Sequence, residues 1–362
     1  MAADCLPKAG GQLTQTPWPQ TRLDFQRAWA ITEGAGVKVA VIDTGMDRQQ
    51  PQMARIKVAG GLDVLAGFRP GDTSDCDGHG TAVTGIIAAP QLGTVPFVGV
   101  APGATIVPIK QSNTSNDNLG RRSGIARGIR YALQAGARVI NISVTVPSPG
   151  ADLDAAVAAA ARANVVIVAA AGNDGSGVNA TAYPAAYSLK YDNVIAVSAT
   201  DSSDAVPQFS ESGHYVTLCA PGVGVLAPAR QSGYTKLDGT SFAAPFVTGT
   251  VALMLSAHPA MSAAAVRDRL EATADPPPVA VPDPKYGYGV VNPYLAVTSV
   301  RDDTLAAPVT RVGKPLPAPV VARPEDRRLQ HIALASALCL LALALLAAAG
   351  TAVLRRPQRS AQ

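Results

Sequence analysis

Five short apolar stretches recur along the chain, at about 39–42, 105–109, 138–143, 165–171 and 194–199. Between them lie segments of helical pattern, clearest at about 120–135 and 152–162. Apolar strands alternating with helices fold as βαβ units, which yield a parallel sheet buried under helices. The predicted fold is therefore α/β, a mainly parallel sheet covered by helices on both faces. In such a sheet, sites form beyond the carboxyl ends of the strands. The polar residues placed there are Asp43 after Val41-Ile42, Ser143 after Asn141-Ile142, and Asn173 after Ala169-Ala170-Ala171-Gly172.

Two helix starts supply the remaining chemistry. His79 lies between two glycines in Asp77-Gly78-His79-Gly80-Thr81, at the head of a small-residue helix. Ser241 lies in Gly239-Thr240-Ser241-Phe242-Ala243-Ala244-Pro245, ahead of an apolar run. By position Ser241 reads as the N-cap of that helix, with Pro245 inside its first turn. A serine becomes a nucleophile when a base takes its proton and a carboxylate fixes the base. Asp43, His79 and Ser241 supply these three types in the order Asp, His, Ser. Asn173 adds a side-chain amide that can donate to a developing oxyanion.

Composition limits the alternatives. Only 15% of the 362 residues are charged and the net charge is +4, with no basic stripe, which argues against nucleic acid. The glycines at 34 and 36 precede a strand, whereas a dinucleotide fingerprint follows one. Asp72, Asp75 and Asp77 form no complete calcium loop and read as solvated loop carboxylates; no cofactor is expected, with structural calcium left open. Residues 1–11 lack the apolar core of a signal peptide. They contain Cys5, and Cys76 lies three residues before His79. The two are read as a disulfide tying an N-terminal arm beside the site, with two free surface thiols as the alternative. Cys219 reads as a buried apolar residue. Trp18 and Trp29 are expected to pin the arm to the body.

Domain limits follow: an arm at 1–20, a catalytic body at 21–300, and a Pro-rich linker at 301–331. The 23-residue uncharged run at 332–354 is long enough to span a bilayer as a helix. Arg355, Arg356 and Arg359 after it place the tail, 355–362, in the cytoplasm, although Arg327 and Arg328 stand on the other side. The catalytic body is then extracytoplasmic and needs an export signal, expected upstream of Met1 or already removed. With Met1 as the true start, a tail-anchored cytoplasmic protease follows instead.

The Asp-Thr-Gly, His-Gly-Thr, Ala-Ala-Gly-Asn and Gly-Thr-Ser-Phe-Ala-Ala-Pro motifs resemble those of the subtilase family of serine proteases, in family order over about 37–295. The resemblance implies a serine endopeptidase acting on protein or peptide, with Asp43, His79 and Ser241 catalytic. Asn173 would serve the oxyanion hole. Ser143, Val144, Thr145, Ala171 and Gly172 would border the substrate, which adds as a strand along 141–145. Thr145 stands where the family often has glycine and is expected to narrow the cleft. Arm, linker and terminal span together resemble the mycosins, membrane-anchored subtilases of actinobacterial type VII secretion systems. The second cysteine pair common in mycosins is not found complete. This resemblance implies the secretion membrane complex as partner and a plasma-membrane location. A structural component of that complex with secondary protease activity is the alternative. A propeptide at about 1–30 is a weaker reading, since so short an arm buries no core of its own.

Overall fold

The computed structural model describes residues 9–65, 69–70, 73–113 and 122–300, all within the first of two units, Met1–Pro319. Cys5, Asp72 and the 301–362 segment, with its apolar 332–354 run, lie outside the described residues. Strand β1 (Lys38–Asp43) is central. Around it lie β2 (Lys57–Val58), β3 (Leu62–Asp63), β4 (Arg69–Pro70), β5 (Thr105–Lys110), β6 (Val139–Ile142), β7 (Val166–Ala170), β8 (Val194–Thr200) and β9 (Leu218–Pro221). The order across the sheet is β4-β3-β5-β1-β6-β7-β8-β9, with β2 also on β5. From β5 to β9 every pairing is parallel. Strands β10 (Val225–Pro228) and β11 (Tyr234–Leu237) form a separate antiparallel hairpin.

Both faces of the sheet are buried, as its continuous apolar strands require. Val39 and Val41 point into one core layer, and Ala40 and Ile42 into the other. Helices α3 (Arg122–Gln134) and α4 (Ala151–Arg162) cover the second layer. The first holds α2 (His79–Ala88) and α5 (Thr240–Ala257), with α6 (Ala263–Thr273) and α7 (Pro293–Thr298) behind them. Helix α5 is the only helix among the described residues with the length and hydropathy of a membrane span. It is 89% buried, so it is the core helix of the body.

The N-terminal segment contributes α1 (Trp18–Leu23). Trp18 Nε1 donates to the Val223 carbonyl (3.1 Å) and Trp29 Nε1 to that of Val100 (2.9 Å), so both tryptophans pin the lead-in to the body. Ahead of them, Gly11 pairs with Tyr234 through two backbone hydrogen bonds of 3.0 and 2.8 Å. The arm thereby forms an isolated antiparallel bridge on the outer side of β11.

The start of α2 touches the end of β1. A Cβ on Gly80 would sit 2.2 Å from the Gly45 carbonyl oxygen and 3.2 Å from the Asp43 Cβ. Gly80→Ala should therefore push α2 off β1, costing about 1–3 kcal/mol of stability. Thermal unfolding measures this, and an unchanged Tm would show that the junction relaxes freely.

Candidate active site

Asp43 is the last residue of β1 and is fully buried. Its Oδ1 accepts the Thr44 backbone N–H (2.7 Å) and lies 2.7 Å from His79 Nδ1. The carboxylate fixes the Nδ1–H tautomer and leaves Nε2 to act as a base. Burial opposes protonation of His79, but the Asp43 charge outweighs it, helped by Asp77 and Asp75, and the imidazole pKa is raised. The Phe242 ring packs on the imidazole, with centroids 5.1 Å apart.

His79 is the first residue of α2, whose cap comes from an unexpected place. Gly78 provides no side chain, and Asp75 does the capping. Asp75 Oδ1 accepts the N–H of Gly78 (2.8 Å) and of Asp77 (3.0 Å), and the Thr44 hydroxyl (2.9 Å). Its Oδ2 accepts the Thr81 N–H (2.9 Å) and hydroxyl (2.6 Å). The sequence suggested a solvated loop carboxylate, but Asp75 is buried. It joins the β1 end to the α2 start and so sets where His79 stands. An aspartate shortly before a glycine-led helix was the available signal. Among the described residues no group of three His, Cys, Asp or Glu is placed to hold a metal.

Ser241 is not the N-cap of α5. Gly239 holds that place without a side-chain cap, and the helix begins at Thr240. The cap comes from Asn173, whose Oδ1 accepts the Thr240 N–H (2.9 Å) and hydroxyl (3.0 Å). With the amide oxygen held by two donors, Nδ2 is the group free to face a substrate. Asn173 lies three residues past the end of β7, in a turn rather than in the strand.

Pro245 falls in the second turn of α5, not its first. It has no N–H to give the Ser241 carbonyl four residues back. The Ser143 hydroxyl donates to that carbonyl instead (2.8 Å). Ser143 Oγ in turn accepts from Asn141 Nδ2 (2.9 Å), and Asn141 Oδ1 accepts from the Thr248 hydroxyl (2.8 Å). Asn141 is thus an internal brace between β6 and α5, a role its sequence context does not announce. The Ser241 hydroxyl donates to the Ser143 carbonyl oxygen (2.9 Å) and not to His79. Rotation about its χ1 is the movement that would bring it to His79 Nε2.

Two cavities flank the serine. One, of about 310 Å³, is lined by Ser143, Val144, Thr145, Asp174, Ala182 and Glu211 among others. The other, of about 540 Å³, runs along Asp77, Arg230, Leu237 and Phe242 and is partly walled by arm residues Ala9 and Gly10. His79, Asn173 and Ser241 line both. Ser143, Val144 and Thr145 thus stand at the cleft, as the sequence suggests. Ala171 and Gly172 do not; both are buried and outside the lining, and they support the Asn173 turn from below. Glu211, which no motif singles out, lines the first cavity. Cys219 is buried and free, as expected.

Residues 34–289 match the Peptidase_S8 profile, described as the subtilase family. Mycosin-4 of Mycobacterium tuberculosis is 36% identical over 88% of this chain and 78% of its own length. Subtilisin DY of Bacillus licheniformis is 43% identical over 67% of this chain and 85% of its own. A crystal structure of MycP1 from the ESX-1 type VII secretion system superposes with a TM-score of 0.71 at 29% identity, covering 83% of this chain and 91% of that one. MycP1 with its N-terminal propeptide removed gives 0.69 at 31%, over 80% and 99%.

With His79 as the base, its raised pKa would set the acid limb of activity. Below it the imidazole is protonated and accepts no proton, so kcat/KM should fall as pH drops through a value above the ordinary 6.5 or so. Asp43→Asn removes the charge responsible, so the limb should move to lower pH while kcat drops by about 10⁴. A limb that stays in place would show that Asp43 does not tune His79. The profile covers most of the described body and the compared proteins share its architecture, so this chain belongs to the subtilase family of serine peptidases.

Proposed function

We propose that the chain is a membrane-anchored serine endopeptidase that works through Asp43, His79 and Ser241. The observation that supports this most directly is the 2.7 Å Asp43–His79 hydrogen bond beside Ser241, in a cleft open on both sides. On substrate binding the Ser241 hydroxyl leaves the Ser143 carbonyl and gives its proton to His79 Nε2 as Oγ attacks the scissile carbonyl. His79 passes that proton to the leaving amine. Water, deprotonated by His79, then cleaves the acyl-enzyme and restores the serine. Asn173 Nδ2 and the Ser241 backbone N–H, which faces away from the helix interior in the first turn, receive the oxyanion.

The anchor is the 332–354 run, read from composition, with the body extracytoplasmic and the tail cytoplasmic. Similarity to Mycosin-4, and to MycP1 of a type VII secretion system, supports attachment to a secretion membrane complex and protein substrates from that system. A Cys5–Cys76 disulfide would tether the arm close to His79. Two features favour restrained activity and a parallel structural role: the Ser241 hydroxyl rests on Ser143, and arm residues Ala9 and Gly10 narrow the second cavity.

Labelling the full chain with a fluorophosphonate, followed by mass measurement, should modify Ser241 and leave a Ser241→Ala chain unmodified. A folded wild type that takes no label would overturn the catalytic reading. Asn173→Ala should lower kcat by about 10²–10³, and a normal rate would remove Asn173 from the oxyanion hole. In a producing strain, Ser241→Ala should preserve secretion if the structural role matters, while deletion of the whole chain should abolish it. Equal failure of the two strains would rule out a purely structural role.

A further inference from the structure

Glu211 is 6% exposed, yet it lines the 310 Å³ cavity beside Ser241. Its two oxygens have different fates. Oε1 accepts the Asp174 N–H (3.1 Å), while its own backbone N–H donates to the Gly172 carbonyl (3.0 Å). These bonds hold the turn that carries Asn173. Oε2 is buried and has no hydrogen-bond donor. The Tyr215 hydroxyl lies close enough to the carboxyl to act on it electrostatically, but its one proton is directed to the Ala171 carbonyl (3.2 Å). The carboxyl fits only because residue 172 lacks a side chain: a Cβ there would lie 2.4 Å from Oε2, and Gly172 has φ +115°.

A buried carboxylate oxygen without a donor is costly, and a ligand that brings one recovers the loss. The lining has a second carboxylate, Asp174, and neither lysine nor arginine. Its other walls, Val144, Val146, Pro147 and Ala180–Ala182, suit an aliphatic stem. We infer that this cavity receives the substrate side chain on the acyl side of the scissile bond, and that Glu211 selects a long basic one, lysine or arginine. The inference rests on the serine-peptidase reading and names its substrate class.

Burial raises the Glu211 pKa to about 7, and the nearby Asp174 charge adds to it. Asp174 and Tyr215 are the titratable groups facing it, and His79, whose pKa is also raised, lines the same cavity and adds positive charge there as pH falls. The carboxyl is therefore largely neutral at pH 6 and charged at pH 8. Preference for a basic side chain should grow as pH rises through about 7.

Binding without turnover tests this. A full chain bearing Ser241→Ala is titrated with fluorescein-labelled octapeptides that differ only in lysine or norleucine at the acyl-side position. At pH 8 the lysine peptide should bind about tenfold or more tightly, and the ratio should shrink towards one at pH 6. Adding Glu211→Gln should bring the two affinities together, whereas Asp174→Asn should leave most of the difference. Equal affinities at pH 8 in the parent would overturn the inference. So would a Glu211→Gln chain that loses affinity for both peptides alike, since that outcome makes Glu211 a support for the turn. If Glu211→Gln does not fold, the parent's lysine preference at pH 8, where His79 is the less protonated, decides. Turnover is not read here, so failed fluorophosphonate labelling would count against the catalytic reading and leave this result standing.

Discussion

Helix α5 opens with backbone groups that its own residues leave unsatisfied, and the site is built by the strands that satisfy them. Gly239 gives no cap, and Pro245 withholds the donor owed to the Ser241 carbonyl. Asn173 beyond β7 supplies the first need and Ser143 beyond β6 the second. Each repair costs a side chain, and each places that side chain at the cleft. The Asn173 Nδ2 group is left free at the cleft because its oxygen is committed to Thr240. The residue bordering the cleft stands where it does because its hydroxyl is committed to the helix. Helix capping and site geometry are thus one set of hydrogen bonds.

The same economy holds at the other helix. Asp75 gathers five donors from the β1 end and the α2 start, and so fixes His79 relative to Asp43. A carboxylate held by five donors is stiff, which suits a scaffold beside the His79 imidazole. Asp43 itself is different. Its Oδ2 is buried without a partner, so its bond to His79 is concentrated on one oxygen.

Much of this was legible in the sequence, for definable reasons. The parallel sheet announced itself through continuous apolar strands alternating with helices. Asp43, His79, Ser241 and Asn173 stand out in combination: each motif alone reads as an ordinary cap or turn, but together they supply a carboxylate, a base, a nucleophile and an amide and, in family order, match the subtilase motifs. The cap of α5 was misread, since a serine after glycine looks like an N-cap while the capping asparagine is 67 residues away. Asn141, Asp75 and Glu211 look ordinary in the sequence because their importance comes from burial. Burial of a single polar side chain depends on which distant element lies over it, and no local pattern encodes that. Ala171 and Gly172 were placed on the cleft surface for the converse reason: lying next to Asn173 in sequence, they sit one layer below it.

The bridge formed by the arm has a consequence for the outside of the molecule. A hairpin normally leaves one row of backbone donors and acceptors open to any extended chain that passes. Here the outer edge of β11 at Tyr234 is already paired with Gly11. The N-terminal segment takes the Tyr234 position of that edge for itself, so an extended chain could not pair there without first displacing Gly11.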